Sequence, residues 1–221
     1  MVTVRSSAIL APQALAISTG SCIVTDRGVA GYWTVLGVSP LELRSKKVLD
    51  IGSGEGVFLS ECSELGIDAV GIDPIYGVIF GKGHNYYADE DHLRCIARGL
   101  GHEERKGKPV MAIAAVNEAL PFKDGAFDYV LGSHSSLAKA ITNYPDLAQR
   151  ELAVRRMLEE IVRVLKPGGE ARVSRPGSCG MAELVDGALE EMASSHPGSI
   201  VWEVLPSHER CLGILVIRKP S

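Results

Sequence analysis

Apolar residues in this chain fall into short runs separated by glycine, proline and polar clusters, and the runs alternate between strand-like and helix-like spacing. Val48, Leu49 and Ile51 begin the series and predict a strand over 47–51, then a helix over about 55–65 and a strand over 68–73. Residues 76–107 are polar and uneven, with a helix expected near 89–100 and an apolar strand at about 109–115. After a strand over 127–132, Val154, Met157, Leu158, Ile161, Val162 and Leu165 recur at helical spacing. They predict a helix from about Pro145 to Leu165, stopped by Lys166-Pro167-Gly168-Gly169. A strand over 170–174 and a helix near 181–194 follow. Two β-rich runs at 200–205 and 212–218, joined by a short polar link, then form a hairpin.

Strands alternating with helices imply an α/β, doubly wound, mostly parallel seven-stranded sheet with right-handed crossovers and an antiparallel C-terminal hairpin. The 221 residues suit a single domain, with residues 1–43 as an irregular or partly helical arm or lid and 44–221 as the core. Composition narrows the partners. Lys and Arg total 23 against 27 Asp and Glu, so the chain offers no global attraction to a polyphosphate, and nucleic acid is an unlikely substrate. The five cysteines are scattered and never form a CxxC pair, which argues against a disulfide framework or zinc site and suits a cytoplasmic protein. The apolar segment Ala8 to Ile17 contains Pro12 and Gln13 and is too short to span a membrane, so neither a span nor a cleaved leader is expected.

Chemistry concentrates at the end of the first strand. Asp50 is followed by Gly52, Gly54 and Gly56, a spacing that turns a buried strand sharply into a helix and lets the backbone approach a ligand. Asp73, closing the second strand, points to the same crevice, where its carboxylate can accept two hydrogen bonds from a ribose diol. Both features suit either a dinucleotide or an adenosyl cofactor. Val57 stands where the third glycine of the nicotinamide fingerprint belongs, which disfavours the dinucleotide.

Four segments occur in order between residues 47 and 175: Val48 to Gly56, Asn117-Glu118-Ala119-Leu120-Pro121-Phe122, Phe127-Asp128-Tyr129-Val130, and Arg163-Val164-Leu165-Lys166-Pro167-Gly168-Gly169. Together they resemble the class I S-adenosylmethionine-dependent methyltransferases. The resemblance implies a Rossmann-like fold, S-adenosyl-L-methionine as cofactor and S-adenosyl-L-homocysteine as product. It implies that the glycine loop wraps the methionine portion, with Asp50 meeting the ammonium and carbonyls at Gly52 and Ser53 adding acceptors. Asp73 would bind the ribose hydroxyls, and Pro74 with Ile75 would pack on adenine. An acid usually reaches the adenine amino group two residues before the Glu118 position; here that residue is Val116, and Asn117 is the adjacent substitute. Acceptors and carboxylates suit a cofactor that carries a sulfonium and an ammonium.

For an oxygen acceptor a base is useful, and His134, following Ser133 just after the fourth strand, is the best-placed candidate beside the expected methyl group. The segment Gly132-Ser133-His134-Ser135-Ser136 lacks the Asn-Pro-Pro-aromatic pattern of methyltransferases that act on DNA bases. A small-molecule substrate is therefore favoured, with oxygen slightly ahead of nitrogen as acceptor. RNA, a protein side chain, and a binding-only role are the alternatives. Tyr32, Trp33 and Tyr144 are candidate substrate contacts on segments that could cover the site. His84 and His92 cluster with Asp89, Glu90 and Asp91, but at irregular spacing better explained by a solvated charged face, so no metal site is assigned. Oligomeric state is not indicated.

Overall fold

The computed structural model describes residues 27–74, 76, 110–133, 137, 138, 141, 144–176, 179–206 and 213–221. Two short helices lead into the sheet, α1 (Val29–Leu36) and α2 (Pro40–Leu43). Val29, Tyr32, Val35 and Leu36 form the buried stripe of α1, and Gly37 ends it in the left-handed region, its N–H donating to the Trp33 carbonyl at 2.9 Å. Ser39 and Glu42 start α2 with reciprocal bonds, the Ser39 N–H donating to Glu42 Oε2 at 2.7 Å and the Glu42 N–H to Ser39 Oγ at 3.4 Å. The chain continues through β1 (Lys47–Ile51), α3 (Val57–Glu64), β2 (Asp68–Ile72), β3 (Met111–Ile113) and β4 (Phe127–Gly132). It ends with α4 (Leu147–Val164), β5 (Leu165–Arg175), α5 (Cys179–Ser195), β6 (Val201–Pro206) and β7 (Gly213–Arg218).

The seven strands lie in the order β3-β2-β1-β4-β5-β7-β6. The first five in that order pair in parallel, and β7 pairs antiparallel with both β5 and β6. This is the doubly wound sheet with a terminal hairpin that the alternating pattern implies. Side-chain alternation divides β1 between two cores. Leu49 and Ile51 join Val130, Leu215 and Ile217 beneath α4 and α5, whereas Val48 joins Leu131 and Val216 beneath α1 and α3. Asp50, two residues from Val48, is thereby directed into the α1 and α3 layer.

One expectation needs correction. Lys166-Pro167-Gly168-Gly169 does not separate the long helix from its strand, because Leu165 already pairs with Phe127. The four residues instead form an irregularity inside β5, where the register shifts before Tyr129 meets Glu170. Gly168 supplies the required positive φ of 73°, and its N–H donates to the Lys219 carbonyl at 2.8 Å while the Lys219 N–H returns to Gly169 at 3.0 Å. The expected strand at 109–115 is shorter, pairing only over Met111–Ile113. The helix expected near 89–100 and the link at 207–212 lie outside the described residues. Among the described residues no helix is long and apolar enough to cross a membrane.

Arg163, near the end of α4, fixes the turn that leads into β4. Its guanidinium donates to the carbonyls of Phe122 at 2.7 Å and Leu120 at 3.0 Å, and to Asp124 at 2.8 Å. Glu160 accepts two further bonds from it and also takes the Leu120 N–H at 2.7 Å. A delocalised cation with five donors suits this cluster; lysine could not reproduce it. Arg163→Ala should lower the unfolding free energy by about 2 kcal/mol, through carbonyls and a carboxylate left with fewer partners. Urea denaturation monitored by circular dichroism would measure it, with Arg163→Lys recovering only part of the loss.

Candidate active site

The chain runs from β1 through β2 to β3 on one side of the sheet and through β4 to β5 on the other, so β1 and β4 flank the point where strand order reverses. Ligands of open α/β sheets bind beyond the carboxyl ends of such strands. Here that end carries Asp50, the glycine turn and Ser133, the last being fully buried after β4.

Backbone geometry explains the glycines. Gly52, Gly54 and Gly56 adopt φ of 73°, 52° and 74°, all in the left-handed region where a Cβ is strained. The Gly52 and Ser53 N–H groups both donate to the Ile72 carbonyl, at 2.9 and 3.1 Å, binding the turn to β2. The Gly54 N–H donates to Asp73 Oδ2 at 3.1 Å, so the acid closing β2 also clamps the turn. Ser53 Oγ donates to the same Ile72 carbonyl at 3.2 Å and shares a 2.8 Å hydrogen bond with the buried Tyr76 hydroxyl. Pro74 is exposed beside this cluster.

Asp50 is wholly buried. Tyr32 donates its hydroxyl to Asp50 Oδ1 at 2.7 Å, while Oδ2 is buried with no hydrogen-bond partner among the described residues. Burial pushes the Asp50 carboxyl up to about 7; the Tyr32 bond opposes this and the Asp73 charge adds to it. Burial likewise raises the Tyr32 and Tyr76 phenols, with neighbouring carboxylate charges contributing. An acceptor oxygen sealed without a donor is costly unless a ligand supplies one.

The other expected residues divide. Asn117 and Glu118 occupy a half-buried turn bracketed by the bridge between Val116 and Ala119. Burial raises the Glu118 carboxyl, and the Tyr144 hydroxyl reaches its Oε1 at 3.5 Å. Tyr144, expected near substrate, is half-buried against the α4 and α5 core. Tyr32, another expected substrate contact, packs in the core and stacks on Phe58 with ring centroids 4.0 Å apart, whereas Trp33 is 58% exposed. Ile75 and His134 lie outside the described residues, as does the cluster from His84 to His92. Among the described residues no group of His, Cys, Asp or Glu is arranged to hold a metal ion.

Sequence reasoning missed Tyr76 and Phe58. Tyr76 stands in an uneven polar stretch that gives no periodic signal, and Phe58 reads simply as the buried face of a helix. Tyr32 carried a signal, an aromatic in a short apolar run, but nothing in the sequence pairs it with Asp50.

Two carboxyl groups, Asp50 and Asp73, beside a left-handed glycine turn make a site for a ligand that brings positive charge and hydrogen-bond donors. Residues 49–173 match the methyltransferase domain family. The chain belongs to the family of S-adenosylmethionine-dependent methyltransferases. It is similar to the biotin biosynthesis bifunctional protein BioHC of Cellvibrio japonicus, at 28% identity over 177 residues, covering 77% of this chain and 28% of that protein. An uncharacterized methyltransferase of Mycolicibacterium gilvum is 29% identical over 131 residues, covering 59% of this chain and 39% of the relative. The chain thus spans well under half the length of either. Among solved structures, a SAM-dependent methyltransferase of Methanosarcina mazei superposes with a TM-score of 0.50 at 16% identity, covering 79% of this chain and 92% of its own. A protein of Pyrococcus horikoshii gives 0.51 at 20% identity, covering 80% and 82%. At such identities these structures speak for the fold alone.

The site makes two physical predictions. Gly56→Ala should cost about 1–2 kcal/mol in urea denaturation, because alanine at φ 74° strains the first turn of α3. Stability should also respond to pH through Asp50, whose folded carboxyl titrates near 7 instead of the ordinary 3.8. The folded chain binds the extra proton between those values, so this contribution is present below 3.8 and is lost as pH rises towards 7. Asp50→Asn should remove that component, seen as a flatter dependence of melting temperature on pH than in the unaltered protein.

Proposed function

We propose that this protein transfers a methyl group from S-adenosylmethionine to a small molecule, with an oxygen acceptor slightly preferred over nitrogen. The observation that carries the small-molecule reading is the negative character of the crevice. Asp50 and Asp73 face each other there without a cation among their described neighbours, in a chain of net charge −4, which disfavours a phosphate backbone while suiting a cationic cofactor. A relative named for the synthesis of biotin, itself a small molecule, supports the same reading. The scattered cysteines, with Cys62 free and buried, support a cytoplasmic setting.

The residues present fit the cofactor. The turn at Gly52, Ser53, Gly54 and Gly56 would hold its methionine portion, and Asp50 offers a buried acceptor of the kind an ammonium satisfies. Asp73, already fixed by the Gly54 N–H, would take the ribose hydroxyls, with Pro74 and Ile75 flanking adenine. Asn117, Glu118 and Ser133 would complete the adenosyl and methionine contacts. When bound, S-adenosylmethionine supplies an electrophilic methyl on a sulfonium and leaves as S-adenosylhomocysteine.

What remains for the chain is to orient an acceptor lone pair in line with that methyl and to exclude water. His134, one residue beyond the buried Ser133, would remove the acceptor's proton. Trp33 is the substrate contact that its exposure best supports, and Tyr144 would act through Glu118.

Incubating the protein with methyl-labelled S-adenosylmethionine and, separately, small metabolites, total RNA and a protein extract would test the acceptor class. Label is expected in the metabolite fraction alone; label in RNA or protein would overturn the small-molecule reading. His134→Ala should lower kcat about 100-fold for an oxygen acceptor and flatten the acid limb of the pH profile. Unchanged turnover and profile would exclude the histidine base.

A further inference from the structure

Asp50 does not stand alone at the end of β1. Tyr32 reaches it from α1, and α1 is fastened at both ends. The Val29 N–H donates to Glu61 Oε2 at 2.6 Å, which places a carboxylate at the helix's positive end. At the other end the Arg172 guanidinium donates to the carbonyls of Leu36 at 3.3 Å and Gly37 at 2.5 Å. Between these anchors the Tyr32 ring lies stacked on Phe58, leaving its hydroxyl little freedom beyond the 2.7 Å bond to Asp50 Oδ1. The second oxygen, Oδ2, is buried and has no partner among the described residues.

We infer that Tyr32 is a positioning residue for the cofactor, holding one oxygen of Asp50 so that the other is kept as the acceptor for the cofactor's ammonium. The inference rests on the family's cofactor and extends it to a helix that contributes no part of the glycine turn.

A linked proton follows from the surroundings. Among the described residues, the titratable groups that face Asp50 are Tyr32 from α1, Cys62 from α3, Asp73 at the end of β2 and Tyr76 just beyond it. None is a cation, so among the described residues nothing but the Tyr32 hydroxyl favours the ionised form. With its carboxyl near 7, Asp50 carries a proton in much of the ligand-free protein at neutral pH and gives it up when it meets an ammonium. Binding therefore strengthens as pH rises towards 7 and levels off above it. Losing the tyrosine hydroxyl raises the Asp50 carboxyl further and moves that midpoint upward. A tyrosine that served packing alone would leave the midpoint where it is.

The test is calorimetric titration of the full chain with S-adenosylhomocysteine from pH 5.5 to 8.5, in buffers of different ionisation enthalpy. The unaltered protein should release nearly one proton per ligand at pH 6, and Asp50→Asn should release none. Tyr32→Phe, which keeps the ring stack, should shift the midpoint up by about one pH unit. It should weaken binding roughly fivefold at pH 7 and recover to within about twofold of the unaltered protein at pH 8.5. Placing 3-fluorotyrosine at position 32 alone, a stronger donor of nearly the same size, should move the midpoint down, and decides the matter if Tyr32→Phe does not fold. Proton release absent from the unaltered protein, or a midpoint indifferent to both replacements, would overturn the inference. Failure of S-adenosylhomocysteine to bind at all would overturn the cofactor assignment with it.

Discussion

A carboxyl group sealed near the end of β1 is the constraint around which the rest of the structure is arranged. Asp50 cannot reach water, and burial of a charge without a counter-charge is expensive. The fold meets that cost partially, with one hydrogen bond from Tyr32, and the remaining oxygen has no partner among the described residues. The strand alternation that buries Val48 beside α1 and α3 also commits Asp50 to that layer. From there α1 reaches Asp50 through Tyr32, although it lies outside the glycine turn.

The turn itself has a double attachment. Its N–H groups satisfy the Ile72 carbonyl and the Asp73 carboxylate, so β2 holds the loop in its left-handed conformation. The left-handed conformation of three glycines is thus held by the neighbouring strand, so the turn's backbone geometry is fixed in advance of any ligand. At the amino-terminal end of β4, Arg163 and Glu160 pin the Leu120 to Phe122 turn to α4. Rigid secondary structure supports the glycine turn. A site that binds a charged ligand gains from such preorganisation because little ordering remains to be done on binding.

Much of this was legible in the sequence because it follows from short-range rules. Strand periodicity, the glycine spacing and the amphipathic stripe of α4 each fix local structure, and their order along the chain fixes the sheet. The glycine turn, Asp50 and Asp73 were recognisable for the same reason. Lys166 to Gly169 were misjudged because a helix-stopping pattern cannot show that the next strand has already begun at Leu165. Tyr32, Phe58 and Tyr76 were misassigned or missed because their partners are 18 to 26 residues away or lack periodic signal, and contacts of that kind arise only when layers pack. The departure at Val116, 40% exposed in the turn before Glu118, was visible in sequence and is unaltered by the fold.

A crystal structure with S-adenosylhomocysteine bound addresses the central claim most directly. The account predicts the ligand's ammonium within hydrogen-bond reach of Asp50, directly or through one water, with the Tyr32 hydroxyl still on the other carboxylate oxygen. An ammonium held elsewhere, or Tyr32 swung away to make room, would contradict it.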